Sequence, residues 1–190
     1  FLQFGPSFVQ KLNGKFTIAI YDEFNNKLFL YRAPLGLCPL YYTIFQNTLI
    51  FASEIKGILA YPDFKPRLSK TGLNEIFSMG PAHTPGNAIF DNISELLPGH
   101  YFCFGRGIQT EIRYHDFKLV DLHESYDDIV DHTKTLLFIF FSVWSDTNDS
   151  FGTLLSGGLD SSLVTSILVK EKGTFSTYSF DFPDSEKHFA

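Results

Sequence analysis

Nine residues, Leu-Leu-Ser-Gly-Gly-Leu-Asp-Ser-Ser at 154–162, concentrate the groups that bind anions. An apolar run at 151–155 reads as a strand, two glycines let the backbone turn tightly, and a helix follows over 161–172. Gly157 and Gly158 carry no side chain over their N–H groups, so an anion can approach closely. A helix start adds unpaired N–H donors and the positive end of the helix dipole. The hydroxyls of Ser156, Ser161 and Ser162 can donate to the same anion. The assembly predicts a phosphate or pyrophosphate cradle. A plain strand-to-helix turn without a ligand is the alternative, and Ser-Gly-Gly alone would not exclude it. The spacing GxxxxGK[ST] is absent, so this is not a Walker loop. A carboxylate at Asp160 repels phosphate unless a cation lies between them. Asp160 therefore either helps to hold Mg²⁺ or caps the helix.

The elements around this segment must position it. Gly173 ends the helix, and residues 174–182 read as a strand, so strand, helix and strand form a βαβ unit with parallel strands. Upstream, Ser125-Tyr-Asp-Asp128 resembles a capping box. Ile129, Val130, Thr133, Leu136, Leu137 and Phe140 follow at helical spacing, and 145–150 is a polar loop. The first 120 residues are β-rich. Segments 15–21 and 27–31 flank a turn at 22–26; 40–45 and 49–52 flank a second; 101–104 and 108–115 flank Gly105-Arg-Gly107. Ser53 is positioned to cap a short helix at 54–60, and Ser69 another at 70–77. Residues 79–86 read as a loop. Many strands are apolar on both faces, which predicts sheets covered on both sides. The pattern changes near residue 120, giving segments 1–120 and 121–190.

Composition narrows the functional classes. The chain has 190 residues, enough for one domain or pieces of two. Its net charge is −6 without any basic run, which argues against nucleic-acid and anionic-membrane binding. The 22 phenylalanines require large buried apolar surfaces. Cys38 and Cys103 are too few for a disulfide scaffold, so a reduced, cytoplasmic chain is expected. No secretory leader opens the sequence. The apolar run 136–144 is far short of the ~20 residues that span a bilayer. The dispersed histidines show no metal spacing. Both ends fall within structured-looking segments, as expected of a piece of a longer chain.

The segment 154–162 resembles the PP-loop of ATP pyrophosphatases, which adenylate a substrate and release pyrophosphate. Segments 11–22, 28–30, 32–42, 51–56, 80–86 and 97–101 resemble, in order, glutamine-hydrolysing asparagine synthetases. That resemblance implies an α+β part followed by an α/β part. The first is the rear of an N-terminal-nucleophile glutaminase sandwich, with two stacked antiparallel sheets. The second is the first βαβ of a PP-loop parallel-sheet synthetase domain. The implied activity is amidation of aspartate through β-aspartyl-AMP, with ATP, Mg²⁺ and glutamine-derived ammonia, in a homodimeric parent. By the same resemblance Ser156, Gly157, Gly158, Leu159, Asp160 and Ser161 hold the pyrophosphate portion of ATP, with Ser162 beside them. Leu155 and Phe180 line the nucleotide, Phe180 replacing a smaller aliphatic residue.

Several positions depart from the family pattern. The resemblance puts the nucleophilic cysteine, the oxyanion Asn-Gly pair and the glutamine-binding Arg and Asp upstream of Phe1. The catalytic lysine of the synthetase falls downstream of Ala190. Ala33 stands where the family usually has Asp, and Cys38 where it often has Lys. Residues 138–144 are apolar where the family helix is basic and amphipathic. Related enzymes that close β-lactam rings or cyclise peptides use the same adenylate chemistry and are a second reading. An inactive truncated copy that only binds partners is a third. Residues 178–190 resemble the synthetase continuation, which favours asparagine synthesis.

Overall fold

The computed structural model describes residues 1–80, 82–121, 123–145 and 151–180, with the backbone alone at Trp144. The chain divides into two units, Phe1–Leu119 and Val120–Ala190. The fold is mixed α/β with antiparallel sheets in the first unit.

In the first unit, β1 (Thr17–Asp22) and β2 (Lys27–Arg32) form an antiparallel hairpin. Its turn closes because Asp22 Oδ1 accepts the Asn25 N–H at 3.0 Å. β3 (Tyr41–Phe45) and β4 (Thr48–Ala52) are joined by Gln46 and Asn47, both at positive φ. A two-residue turn of that hand matches the twist of the strands. α1 (Ile55–Leu59) and α2 (Lys70–Met79) follow, then the short β5 (Ser94–Glu95). β6 (His100–Gly105) and β7 (Ile108–Arg113) close on Arg106-Gly107, again at positive φ. One sheet has the order β1-β2-β6-β7, the other β4-β3-β5.

The double-sided burial expected from the strands has a direct cause. Leu30 and Phe102 point toward the second sheet and pack with Leu40, Leu96, Tyr42 and Leu49. The Tyr42 and Phe102 rings stack at 4.5 Å between centroids. On the opposite face Phe29, Tyr31 and Cys103 meet Val9 and Phe8 from the 3₁₀ turn Gly5–Lys11. The far side of the second sheet is covered by Ile58 of α1 with Phe64, Ala88 and Ile93. Burial raises the Tyr31 phenol well above its ordinary range.

Two caps differ in outcome. Ser69 Oγ accepts the Gly72 N–H at 3.3 Å and opens α2, which runs to Met79, two residues past the expected end. Ser53 does not cap α1. The cap position falls one residue later, on Glu54, and no side chain bonds the first turn there. Glu54 and Lys56 form an exposed ion pair.

In the second unit α3 spans Tyr126–Ser145, so Ser145 belongs to the helix rather than to the expected loop. The rest of that loop, 146–150, lies outside the described residues. Ser125 Oγ accepts the Asp128 N–H at 3.2 Å. The Asp128 carboxylate accepts the Ser125 hydroxyl instead of returning to the cap's own N–H, so only half of a capping box forms. β8 (Gly152–Leu154) and β9 (Ser176–Tyr178) flank α4 (Leu159–Lys172). The strands are parallel, as the spacing predicts, with Gly152 opposite Ser176 and Leu154 opposite Tyr178. β9 is shorter than the expected 174–182, of which 181 and 182 lie outside the described residues. Among the described residues no helix is long and apolar enough to cross a membrane.

Candidate pyrophosphate-binding site

The site begins where β8 ends. A Cβ at Gly152 would lie 2.7 Å from the Tyr178 ring and 2.9 Å from the Ser176 carbonyl oxygen. Glycine there lets the two strands approach. Pairing continues one step past the strands: the Leu155 N–H donates to Tyr178 O at 2.8 Å. The Ser179 hydroxyl then donates to Leu155 O at 2.6 Å. These bonds place Ser156 and Phe180 at the carboxyl ends of neighbouring parallel strands, where α/β sheets bind ligands.

Gly157 turns the chain at φ 81°, a left-handed value that favours glycine. A Cβ built there meets nothing within 4 Å, so the space above the turn is open. Gly158 is the N-cap of α4 and has extended backbone. The Ser162 N–H makes the first helical bond, to Gly158 O at 3.1 Å. The N–H groups of Leu159, Asp160 and Ser161 therefore have no intrahelical acceptor. α4 starts two residues before the expected Ser161, which brings Leu159 and Asp160 into its first turn.

The hydroxyls order the loop. Ser161 Oγ lies 3.0 Å from Ser156 Oγ, accepts the Ser156 N–H at 3.3 Å and donates to Gly158 O at 3.2 Å. Ser162 is exposed, as are Leu159 and Phe180, whereas Leu155 is half-buried. Asp160 is exposed, and among the described residues its carboxylate has no hydrogen-bond or ion-pair partner. The capping role open to Asp160 in the sequence thus has no bond behind it. An acidic group in the first turn still complements the helix dipole.

Three residues that anchor the site carry no motif. Thr165 is buried; its hydroxyl donates to Ser161 O at 2.8 Å and lies 3.0 Å from Thr153 Oγ1. This pair pins α4 to β8 through groups that look like ordinary strand and helix threonines. Ser179 fixes the loop end in the same way, and its only signal was proximity to Phe180.

The residues present fit a pyrophosphate: free N–H donors, three hydroxyls and open space at a helix start. Among the described residues no group of three His, Cys, Asp or Glu could hold a metal. Asp160 is the side chain here that would hold a metal, whose charge would offset that of the phosphates.

Comparison with known proteins places both units. Residues 1–115 match the glutamine amidotransferase domain family and residues 146–190 the asparagine synthase family. The chain is 38% identical to asparagine synthetase [glutamine-hydrolyzing] 3 of Bacillus subtilis, over 100% of the chain and 32% of that protein. It is 33% identical to asparagine synthetase [glutamine-hydrolyzing] 2 of the same organism, over 84% of the chain and 23% of the relative. It is 30% identical to a Methanocaldococcus jannaschii protein described as an asparagine synthetase [glutamine-hydrolyzing] 2, over 84% of the chain and 32% of the relative. The chain thus spans about a third or less of the length of these relatives.

Proposed function

The chain belongs to the family of glutamine-hydrolysing asparagine synthetases, and from that premise we propose that it contributes to ATP-dependent amidation of aspartate. Residues 1–120 are then the rear part of a glutaminase domain and residues 121–190 the start of a PP-loop synthetase domain. A β-carboxylate oxygen of aspartate attacks the α-phosphorus of ATP, and pyrophosphate leaves. Glutamine-derived ammonia attacks the acyl carbon of β-aspartyl-AMP, AMP leaves, and asparagine forms. Activation is needed because a carboxylate is a poor electrophile with a poor leaving group. The free cysteines Cys38 and Cys103 support a cytoplasmic setting.

The observation that carries this reading is the segment Ser156–Ser162, which leads from β8 into the first turn of α4, with its free N–H groups and hydroxyls. In this role the N–H groups of Leu159, Asp160 and Ser161 bind the departing pyrophosphate, the Ser156 hydroxyl orients it, and Ser161 Oγ holds Ser156 in place. Leu155 and Phe180 bound the nucleotide. Mg²⁺, when bound, neutralises charge on the phosphates, and Asp160 is the side chain that would hold it.

The test is Asp160→Ala in the full-length enzyme. Pyrophosphate release with aspartate and ammonia should fall about a hundred- to a thousand-fold, the cost of one preorganised charge contact at roughly 3–4 kcal/mol. Glutamate release from glutamine should persist, since that chemistry belongs to the other domain. Near-normal pyrophosphate release would withdraw Asp160 from the site.

A further inference from the structure

The turns at one end of the first unit enclose a second candidate site. The turns of β1–β2, β3–β4 and β6–β7 converge there on a cleft of about 430 Å³. Its floor includes Leu49 and Phe104, and its rim carries Arg106, Asn47 and Gln109. The chain as a whole has a net charge of −6, yet none of the residues lining this cleft is acidic. Arg106 is the cation among them. Among the described residues its guanidinium makes one hydrogen bond, from a terminal nitrogen to Phe24 O at 3.3 Å, which ties it to the neighbouring turn and leaves its other donors available. Among the described residues the Asn47 and Gln109 amides have no hydrogen-bond partner. Tyr21 is already committed to Asn26 Oδ1 at 2.8 Å.

The turns that form the rim are closely fitted to each other. Gly105 lies against the Asn26 carbonyl oxygen with no room for a Cβ, so the β6–β7 turn is pressed onto the β1–β2 turn. Arg106 and Asn47 occupy left-handed positions of two-residue turns, conformations fixed by strand register rather than by the side chains. The polar groups of the rim are thus held by sheet geometry.

We propose that this cleft binds a small organic carboxylate. A planar guanidinium matches a carboxylate with two parallel N–H donors. The Asn47 and Gln109 amides would bond other polar atoms of the ligand, and the Leu49 and Phe104 floor would cover a short aliphatic part. One cation suits a monoanion better than a phosphate dianion. The site is independent of the nucleotide loop and of the function proposed above.

The experiment is calorimetric titration of the 190-residue chain with butyrate, with inorganic phosphate and butylammonium as controls. Butyrate should bind saturably, and butylammonium should not bind. Arg106→Asn keeps a residue that tolerates positive φ and removes the guanidinium; it should weaken butyrate binding by about tenfold or more. Thr48→Trp, at an exposed lining position, should block the cleft and abolish binding while leaving Arg106 in place. Circular dichroism of both variants should match the parent. The proposal is overturned if butyrate does not bind the parent chain, if phosphate binds more tightly, or if either folded variant binds butyrate as the parent does.

Discussion

Arg32 is the most heavily committed side chain of the first unit. It is 5% exposed and pairs with Glu95, itself 7% exposed, at 2.8 Å. Its other donors reach Leu96 O at 2.6 Å, Gly36 O at 2.8 Å and Cys38 O at 3.0 Å. One guanidinium thus closes the loop after β2 and ties it to β5. Next to it Ala33 is 1% exposed, and its carbonyl accepts the N–H groups of Gly36 and Gly99. A methyl group there needs no counter-charge in a buried place. Arg32→Met would take the guanidinium from buried Glu95, leaving it the His83 ring nitrogen at 3.1 Å, and should lower stability by about 3 kcal/mol. Adding Glu95→Gln should recover part of the loss. Urea unfolding of the two variants measures both, and a single-mutant loss below about 1 kcal/mol would mean the pair is dispensable. The sequence drew attention to Arg32 only as part of a motif. Its network was not legible, because its acceptors are the Glu95 carboxylate and backbone carbonyls that lie up to 64 residues away.

At the scale of elements, local chemistry decided where helices begin. Ser69 caps α2 because it sits at the cap position, and Ser53 fails because α1 starts one residue too late for it. Gly72 shows the opposite kind of control. It lies in the first turns of α2, where Ala would be favoured by about 1 kcal/mol on helix propensity. A Cβ there would come within 2.7 Å of Ile89 Cα and 3.1 Å of Ala88 O. Those are backbone atoms that cannot swing aside. Gly72→Ala should therefore destabilise the protein, by up to about 2 kcal/mol net, since overpacking costs about 1–3 kcal/mol against the propensity gain. Thermal unfolding checks the sign: a raised melting temperature would show that the 88–89 segment can give way. The half-formed box at Ser125 follows the same logic, since an Asp side chain is one carbon shorter than Glu.

For the whole molecule the two units should differ in local stability. The first contains three buried clusters that together involve both sheets. In the second, the buried apolar side chains among the described residues are Ile167 and Leu168. Leu136, Ile139, Phe140 and Val143 recur at helical spacing along α3 and are each more than half exposed. β8 and β9 form a two-stranded sheet, which has marginal stability by itself. Amide hydrogens of β8 and β9 should exchange at least about tenfold faster than those of β2 and β6, reflecting lower local opening energies. Equal protection in the two units would contradict this.

The sequence by itself determined the hairpins, the parallel βαβ unit, the family and the candidate loop. Each rests on signals that act over a few residues, such as turn chemistry, periodicity and glycine placement, or on a motif of contiguous residues. The tertiary structure decided which groups are left available. It gave Asp160 no partner within the described fold, and it set Ser179 and the Thr153–Thr165 pair as the anchors of the loop. It also brought Tyr21 and Asn26 of one turn, residues 47–49 of a second and residues 104–109 of a third to one cleft whose lining has no acidic residue. Such outcomes depend on the order of strands in the sheets and on the register of their pairing. No short segment carries that information, because the partners meet only when distant strands pack.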